Sequence, residues 1–400
     1  MNRREVKRAP VLRFKGFTND WEQRKLKNLV DFYSGLTYHP ENIREKGTFV
    51  IRSSNIKDGQ LVTGDNIFVA PEIVNSTYVK KDDIIVVVRN GSRKLIGKHT
   101  KLNFNLNNAV IGAFMTGIRS NNNNFINAIF DSDNFKREIH KNLGATINQI
   151  TTGELKRMNF YIPSLTSEQN YLGNLMKVLD KLITLQQRKL NDLSSMKSAL
   201  LQNIFPNTQG IKKIKLSTQE WNLQKISSIF KERNQRNKNG MLLSVSISKG
   251  VYPFSENDRK DNSSNDKSNY KEVKINDLAY NSMRMWQGAV GVSKYNGIVS
   301  PAYTVITPKK EENPNFYYYY FKNKRMLFNF RQHSQGLTSD TWNLKFPLFE
   351  KILIQVPSDK EEEQRVSSLF KQIDKSIELS KIQIKKLTSI KQFLLQNMFI

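Results

Sequence analysis

The sequence contains no cysteine. This absence excludes disulfide bonds and thiolate metal sites, and it fits the reducing environment of the cytoplasm. The four histidines, His39, His99, His140 and His333, are scattered and lack the spacing of metal ligands. Long apolar runs are missing as well, since the longest aliphatic run, Ile84 to Val88, has the length of a buried strand and cannot span a bilayer. No apolar segment follows the basic N-terminus, so we expect no signal peptide.

Nucleotide and cofactor motifs are also missing. The stretch from Gly91 to His99 resembles a phosphate-binding loop, but five residues separate Gly91 from Gly97, and His99 stands where a serine or threonine is required. There is no glycine-rich fingerprint for a dinucleotide or S-adenosylmethionine, and no Asn/Asp-Pro-Pro-aromatic tetrapeptide of the adenine methyltransferase type. We therefore expect no catalytic, cofactor-binding or metal-binding residues on this chain, while a nuclease site of dispersed carboxylates stays an open alternative.

What the sequence does contain is an internal repeat. Residues 162–205 recur at 356–399 without a gap, 194 positions further along, with Pro163 matching Pro357. Each copy opens with a proline and a charged run, and after Gly173 in the first copy neither glycine nor proline interrupts the pattern. Such a composition predicts two long helices, one at the end of each half of the chain.

Each predicted helix carries apolar residues at alternating steps of three and four, which is the pattern of a coiled-coil seam. Polar residues interrupt both seams at matching places, Gln186 and Lys197 in the first helix and Ser380 and Lys391 in the second. If the helices pair antiparallel, one register places Gln186 opposite Lys391 and Lys197 opposite Ser380; the register one heptad away is its nearest competitor. Dimerisation between separate chains is the alternative, but two matching seams in one chain favour internal pairing. The apolar seam positions are Leu172, Met176, Leu179, Ile183, Leu190, Leu193, Leu200 and Ile204, and then Val366, Phe370, Ile373, Ile377, Ile384, Leu387, Leu394 and Met398.

The net charge of +27 is concentrated outside the predicted helices. Residues 1–162 carry 26 basic and 15 acidic groups, a balance of +11, and residues 206–356 carry 24 and 12, a balance of +12. Two equally basic segments favour a polyanionic partner such as nucleic acid. A lysine-rich composition without a binding role is the alternative explanation.

The two basic segments predict globular lobes of similar plan, in which short strands are separated by turns and followed by a helix. Trp21 and Trp221 precede matching amphipathic segments, and we expect both to anchor a core. The tyrosine-rich run from Asn315 to Phe321 matches an ordinary amphipathic helix, so we expect it to pack in the core rather than stack on bases. The predicted strands and helix are Phe49–Ser53, Leu61–Thr63, Asp83–Arg89, Asn105–Thr116, Leu242–Ile247, Asp277–Asn281, Ile298–Thr307 and the helix Phe125–Asn142.

These features predict an α+β fold with a pseudo-twofold repeat. Two mixed α/β domains are joined by two long antiparallel helices that form an intramolecular coiled coil. The predicted segments are a first domain at 1–162, a first helix at 163–206, a second domain at 207–356 and a second helix at 357–400.

With both repeats in view, the chain resembles the specificity subunits of type I restriction-modification systems over essentially all of its length. The two helices carry the most specific motifs, because each begins with Pro-Ser and a glutamate and ends with Leu-Leu-Gln-Asn-x-Phe. The family usually has Glu-Gln after the proline; the first helix keeps it, whereas in the second the glutamine is shifted by one. The matching stretches are Pro10–Phe17 with Trp21, Pro163–Glu168, Leu200–Phe205, Pro357–Gln364, Leu394–Phe399, and the approaches Gly144-Ala145-Thr146 and Gly336-Leu337-Thr338.

This resemblance implies a non-catalytic, DNA-binding specificity subunit with two target-recognition domains. Each domain would read one half of a bipartite, asymmetric site in double-stranded DNA. Two modification subunits, which bind S-adenosylmethionine and methylate adenine, would dock on the helices, and motor-nuclease subunits, which use ATP and Mg²⁺, would join for restriction. The chain itself would bind no cofactor, and the assembled complex would be the endonuclease and N6-adenine methyltransferase. A stand-alone methyltransferase or nuclease and a coiled-coil adaptor are the alternatives.

Loops at strand ends are the natural carriers of base contacts, because a sheet holds them in place while leaving them exposed. Arginine suits guanine, and asparagine or glutamine suits adenine. The signal is the paired position of two equivalent loops, one in each lobe, and not any single side chain. The DNA-binding candidates are Arg52, Ser53, Asn55, Lys57, Arg89, Asn90, Ser92, Arg93, Lys94 and Lys98 in the first lobe, and Ser246, Lys249, Asn281, Arg284, Met285, Trp286, Gln287, Thr338 and Ser339 in the second.

Overall fold

A computed structural model describes residues 9–143, 148–206, 214, 220–257, 266–309 and 312–400. The chain divides into two compact units, one formed by Met1–Gln187 with Ile382–Ile400 and the other by Arg188–Lys381. Each unit therefore contains one lobe and a part of each long helix. The motif Gly144-Ala145-Thr146 lies outside the described residues. Among the described helices, none has the length and apolarity needed to cross a bilayer.

The lobe of the first unit is built on two four-stranded sheets, ordered β2-β11-β8-β9 and β10-β4-β7-β3. A short sheet of β1 and β12 closes the lobe at the start of the long helix α4. The strands are β1 Glu22–Lys25, β2 Asp31–Ser34, β3 Ile43–Arg44, β4 Thr48–Ile51, β5 Ile56–Lys57, β6 Gln60–Leu61, β7 Ile67–Val69, β8 Ile84–Val87, β9 His99–Lys101, β10 Ala109–Ile111, β11 Met115–Arg119 and β12 Asn159–Ile162, and the helices are α1 Asn123–Asp131, α2 Asp133–Asn142, α3 Thr152–Arg157 and α4 Thr166–Asn203.

The lobe of the second unit repeats this plan. Its main sheet has the order β14-β21-β18-β19, and a short sheet of β13 and β22 precedes the second long helix, α9. The strands are β13 Trp221–Lys225, β14 Phe230–Glu232, β15 Leu243–Ser246, β16 Gly250–Pro253, β17 Lys271–Val273, β18 Leu278–Asn281, β19 Val290–Val292, β20 Gly297–Val299, β21 Tyr303–Pro308 and β22 Leu353–Pro357, and the helices are α5 Ile226–Ile229, α6 Pro314–Phe321, α7 Lys324–His333, α8 Phe346–Phe349 and α9 Lys360–Met398.

Three of the predicted segments are divided in the structure. The run 105–116 contains β10 and the start of β11, which belong to different sheets, and a turn in which Met115 N donates to Gly112 O separates them. The run 298–307 divides in the same way between β20 and β21. The predicted helix 125–142 is two helices, because Ser132 ends α1 and caps α2 by accepting a hydrogen bond from Phe135 N. Apolar periodicity does not mark these breaks, since buried residues lie on both sides of each one.

A buried aspartate before the central strand of the main sheet organises each lobe. Asp83 accepts two bonds from the Arg119 guanidinium, at 2.8 and 2.9 Å, and one from the Tyr33 hydroxyl at 2.7 Å. Asp277, its counterpart, accepts two bonds from Arg233, at 2.6 and 3.1 Å. Arg119 is on β11, whereas Arg233 directly follows β14, the counterpart of β2. The repeat therefore keeps the carboxylate and its ion pair, but the arginine comes from a different part of the sheet in each lobe.

The helices pair antiparallel in each unit, as the sequence predicts. In the first unit Trp21 lies against both Glu168 and Phe399, while Asp180 contacts Lys391, so rising numbers on α4 meet falling numbers on α9. All of the predicted seam positions are buried or partly buried, which confirms the heptad pattern.

The same relation holds in the second unit. Lys197 pairs with Asp374, and the rings of Phe205 and Phe370 are 6.1 Å apart. Trp221 Nε1 donates to Glu362 at 3.0 Å, as Trp21 Nε1 does to Glu168 at 3.4 Å. Trp21 is buried in the core of the first unit and Trp221 packs against the core of the second, so both anchor a core, as predicted.

The first of the two registers considered above is wrong. Lys391 Nζ is bonded to Asp180, which lies six residues before Gln186, and Lys197 is bonded to Asp374, which lies six residues before Ser380. Both contacts are displaced by six residues from the first register, so of the two registers they fit the one that is a heptad away. A lysine that is partly buried in a seam needs a carboxylate, and this register gives one to each lysine, whereas the other would offer a neutral amide and a hydroxyl.

The two seam lysines have different surroundings. Lys391 Nζ lies 2.7 Å from Asp131 Oδ2 and 2.5 Å from Asp180 Oδ1, and Asp131 also contacts His99 at 3.2 Å. Burial favours the protonated form of Asp131, but His99 and Lys391 together bring the pKa of this carboxyl well below its usual range. The Asp131 carboxylate thus links α1 to α9 in the first unit.

In the second unit the position that corresponds to Asp131, directly before the residue that caps the next helix, is a lysine, Lys322. Its Nζ donates to Ile247 O at 2.6 Å and lies 5.1 Å from the centre of the Tyr318 ring. Burial, followed by repulsion from Lys197, lowers the pKa of Lys322 to about 8. The second unit therefore has two lysines, Lys197 and Lys322, near Asp374, whereas the first unit has Lys391 between two aspartates.

Lys322 makes the stability of the second unit depend on pH. Above pH 8 the folded chain holds Lys322 neutral while the unfolded chain still protonates it, so the unfolded state binds more protons and stability rises with pH. Relative to Lys322→Met, we expect the wild-type free energy of unfolding to rise by about 1–2 kcal/mol between pH 7 and 9.5. Chemical denaturation of both proteins across this range measures the difference. Parallel pH profiles would contradict it.

Candidate nucleic-acid interface

The two predicted loops of the first lobe lie side by side. Asn90 Nδ2 donates to Ser53 Oγ at 2.9 Å, and Lys98 Nζ approaches Ser53 O at 3.5 Å. Both loops follow strands, β4 and β8, whose residues are all buried and so fix the loop bases. The structure thus brings Arg52 and Ser53 together with the candidates at 89–98.

Several side chains in this pair of loops are already engaged. Arg52 pairs with Asp65 at 2.7 Å. Asn55 is fully buried, where its Oδ1 accepts from Arg52 N at 3.0 Å, so it supports the loop and does not present its amide to a base. This corrects its inclusion among the exposed candidates. Lys57 is exposed on the β5–β6 hairpin, which touches α4 through Gln60 Nε2 and Thr184 Oγ1 at 2.6 Å.

The remaining candidates of the first lobe face solvent or are half-buried. Arg89, Ser92, Arg93 and Lys94 are exposed, and an Arg93 guanidinium nitrogen lies 3.4 Å from Leu143 O. Sequence reasoning missed Asn148, whose Nδ2 donates to Gly91 O at 2.9 Å and whose carbonyl accepts from Asn90 N. Asn148 directly follows the 144–147 segment, so the family-like approach to the first helix could have indicated it.

In the second lobe, the loop Asn281–Gln287 meets the segment that carries Thr338 and Ser339. Leu344 N donates to Ser282 O at 2.8 Å, and the rings of Trp286 and Trp342 are 5.1 Å apart in an edge-to-face arrangement. The 335–343 segment is closed by reciprocal backbone bonds between Gln335 and Asn343. Its tip is therefore an ordered turn, and Thr338 and Ser339 are exposed on it.

Individual side chains again divide into supporting and exposed groups. Met285 is fully buried in the core, which corrects its inclusion as a DNA contact. Arg284 is exposed and approaches Gln287 at 3.4 Å, while Trp286 is half-buried and donates to Met283 O at 3.1 Å. Asn281 Oδ1 accepts from Met283 N at 3.0 Å and so shapes the loop.

Ser246 and Lys249 lie on the β15–β16 turn. Ser246 Oγ accepts from Lys249 N at 3.1 Å, and the Lys249 amine reaches Glu256 O at 3.1 Å over the Tyr252 ring. The contact of this turn with Lys322 joins it to the end of α6. In the described part of the chain, these bonds do not bring the pair to the 281–287 loop.

In both lobes, the loop after the central strand and the segment that approaches the long helix occupy equivalent places in the repeat. Ile150 N donates to Val88 O at 2.8 Å in the first lobe. Leu344 N donates to Ser282 O at 2.8 Å in the second lobe, where donor and acceptor are both 194 residues further along the chain. Both bonds tie the approach to a long helix to the end of the central strand. The surfaces offer guanidinium, amine, amide and hydroxyl groups, which are donors suited to phosphates and base edges. Within the described residues, no three acidic or histidine side chains gather as a metal site.

Comparison with known proteins gives the same division of the chain. The family model described as the type I restriction modification DNA specificity domain matches residues 18–195 and again 218–389. Each match covers one lobe and most of the long helix that follows it.

Curated relatives match over shorter stretches. The type I restriction enzyme StySPI specificity subunit of Salmonella potsdam is 29% identical over 171 residues, 40% of this chain and 36% of the relative. The EcoKI specificity subunit of Escherichia coli K12 is 24% identical over 226 residues, 54% of this chain and 47% of the relative. The chain thus spans about a third to a half of the length of the curated relatives that it matches.

A solved structure matches over nearly the full length. The S subunit of a type I restriction-modification system from M. genitalium covers 98% of this chain and 99% of its own, with a TM-score of 0.63 at 15% identity. At this level of identity, the likeness establishes a shared fold.

Proposed function

Because the chain belongs to the type I restriction-modification DNA specificity family, we propose that it is the non-catalytic subunit that selects the DNA target. Each lobe reads one half of a bipartite, asymmetric site, and partner subunits carry out adenine methylation or restriction. The observation that carries this proposal is the loop after the central strand, which in each lobe is tied to the approach to the long helix by the equivalent Val88–Ile150 and Ser282–Leu344 bonds. The proposed location of the protein is the cytoplasm, where its target DNA lies.

Unlike side chains at equivalent places support an asymmetric target. The bond equivalence aligns Asn148 with Trp342 and Arg89 with Met283. Two readers with the same backbone and different donors select different base sequences, since base identity is read by side-chain donors and acceptors.

The exposed face of the helices supports docking of modification subunits. In the first unit α4 exposes Val178, Leu182 and Leu185, and α9 exposes Ile390 and Phe393. Antiparallel pairing at Asp180 and Lys391 places Phe393 level with Val178, so the two rows adjoin. Contiguous exposed apolar side chains of this kind indicate a protein interface.

The partners supply the chemistry in this proposal. Two modification subunits bind S-adenosylmethionine and transfer its methyl group to adenine, and motor-nuclease subunits use ATP and Mg²⁺. The purified chain, incubated alone with labelled S-adenosylmethionine and duplex DNA, is expected to transfer no methyl group. Transfer by the chain alone would favour the methyltransferase alternative.

DNA binding by the proposed subunit should depend steeply on salt. Each phosphate neutralised by a lysine or arginine releases counterions, so the logarithm of affinity falls linearly with the logarithm of salt concentration. For about six phosphate contacts, we expect the affinity to fall about a thousandfold between 50 and 200 mM salt. Fluorescence anisotropy with a long duplex, with and without the modification partner, measures this slope. A flat response would contradict binding through the basic lobes and favour the adaptor alternative.

A further inference from the structure

In the described part of the chain, three arginines lie over an aromatic ring: Arg119 over Tyr33, Arg89 over Phe114 and Arg331 over Trp342. Arg119 is committed to the buried Asp83. The guanidinium groups of Arg89 and Arg331 have neither a hydrogen-bond acceptor nor a carboxylate partner among the described residues. Both side chains are exposed, and each lobe contributes one of them.

Each of these two arginines belongs to the candidate interface. Arg89 ends the central strand region of the first lobe, next to Asn90, and its guanidinium carbon lies 5.0 Å from the centre of the Phe114 ring. Phe114 is 52% exposed, so its ring is available as a platform. In the second lobe, Arg331 near the end of α7 lies 4.8 Å from the Trp342 ring, which in turn packs on Trp286 of the predicted loop.

A ring beneath an arginine changes what the arginine can do. Stacking uses the face of the guanidinium and leaves its N–H edge free for a planar acceptor pair. It also restricts a side chain that would otherwise lose much rotamer freedom on binding. Guanine offers such a pair, O6 and N7, in the major groove, and a bidentate arginine is its commonest reader.

On the basis of the function proposed above, we infer that Arg89 and Arg331 each read a guanine, one in each half of the target. The two sites are not equivalent in the repeat. The second lobe has Met283 and Ala302 where the first has Arg89 and Phe114, as the 194-residue spacing and the β11 and β21 registers show. Counted from Ser132 and Asn323, which cap α2 and α7, the first lobe has His140 where the second has Arg331, and the 194-residue spacing places Asn148 at Trp342. The guanines therefore lie at different positions within the two halves.

The test uses the chain in complex with its modification partner. One duplex carries the target motif identified by methylation mapping, and each of the others carries this motif with a single base pair changed. Arg331→Lys keeps the charge and removes the planar fork. We expect it to lower affinity about 5- to 150-fold and to abolish discrimination at one G·C pair of the second half, with the first half unchanged. Arg89→Lys should give the reciprocal result in the first half.

A change in the DNA tests the same contact with the wild-type protein, so the result does not depend on how the variants fold. With the wild-type complex, 7-deazaguanine at the assigned position lacks the N7 acceptor and should lower affinity, whereas the Arg331→Lys complex should not respond to it. Uniform weakening across all sequences with a smaller salt slope would identify phosphate contacts and overturn the inference. Unchanged discrimination in both variants would overturn it as well. Failure of the proposed function itself is distinguishable, because the wild-type complex would then show no split methylation motif.

Discussion

Replacing Lys391 by alanine is expected to lower the free energy of unfolding by about 2–4 kcal/mol. The lysine side chain is 16% exposed and lies between Asp131 and Asp180, with contacts of 2.7 and 2.5 Å. Its removal leaves two carboxylates close together in a partly buried seam, where Asp131 keeps contacts with His99 and the Asn127 amide. Chemical denaturation of the full chain measures the loss.

The loss should depend on pH in a defined direction. Wild-type Asp131 has a lowered pKa, so the stability that it contributes is present above its unfolded pKa and is lost as the pH falls through the folded value. Without Lys391, the pKa values of both aspartates rise, and the folded variant takes up protons that the folded wild type does not. The difference between the two proteins should therefore shrink from pH 7 to pH 4.

The internal repeat supplies a matched control. Lys197→Ala removes the corresponding lysine of the second unit, where the partner is Asp374 and Lys322 is a repelling neighbour. Relief of that repulsion offsets part of the lost ion pair, so we expect a loss of about 1 kcal/mol or less. Equal losses for the two alanine variants would show that the carboxylate pair around Lys391 has no special role.

Substituting Gly173 by serine is expected to destabilise the first unit by about 2–3 kcal/mol. A Cβ atom at Gly173 would lie 2.5 Å from Phe125 N, so α1 would have to move away from α4. At the corresponding place of the second unit stands Ser367, which is buried and accepts a hydrogen bond from Asn313 at 3.0 Å. A serine is thus accommodated at this helix position in the second unit, whereas in the first unit the close approach of α1 excludes it.

Thermal and chemical unfolding of Gly173→Ser, measured beside Gly64→Ala, test this close approach. A Cβ atom at Gly64 meets nothing within 4 Å, so its replacement should be nearly neutral. The reciprocal change Ser367→Gly should cost about 1–2 kcal/mol through the lost hydrogen bond and the glycine in a helix. A neutral Gly173→Ser variant would show that α1 is not held against α4 at this point.

The long helices could be predicted from the sequence because their signals are local. A proline, a charged first turn and a seam period of three and four residues define α4 and α9 to within a few residues. The register could not be fixed this way, because it depends on which carboxylate reaches Lys391 and Lys197 once both helices are in place. Asp131, which completes the first of these clusters, comes from α1 and carries no periodic signal.

The candidate interface was predictable as a pair of loops but not as a set of side chains. Strand ends and turn residues indicated where the loops lie. Burial of Asn55 depends on neighbours brought by tertiary contacts, such as the Asp65 carbonyl. Arg331 and Trp342 are eleven residues apart and meet across a turn, so their stacking follows no helix or strand period.

The most direct test of the account is a map of N6-methyladenine in a genome carrying this gene with its modification partner, with residues 207–356 either native or exchanged for the corresponding segment of another family member. The account predicts a split motif with two defined halves of different sequence, of which the exchange alters one and leaves the other intact. A contiguous palindromic motif, or an exchange that changes both halves together, would contradict two separate DNA-reading lobes on one chain.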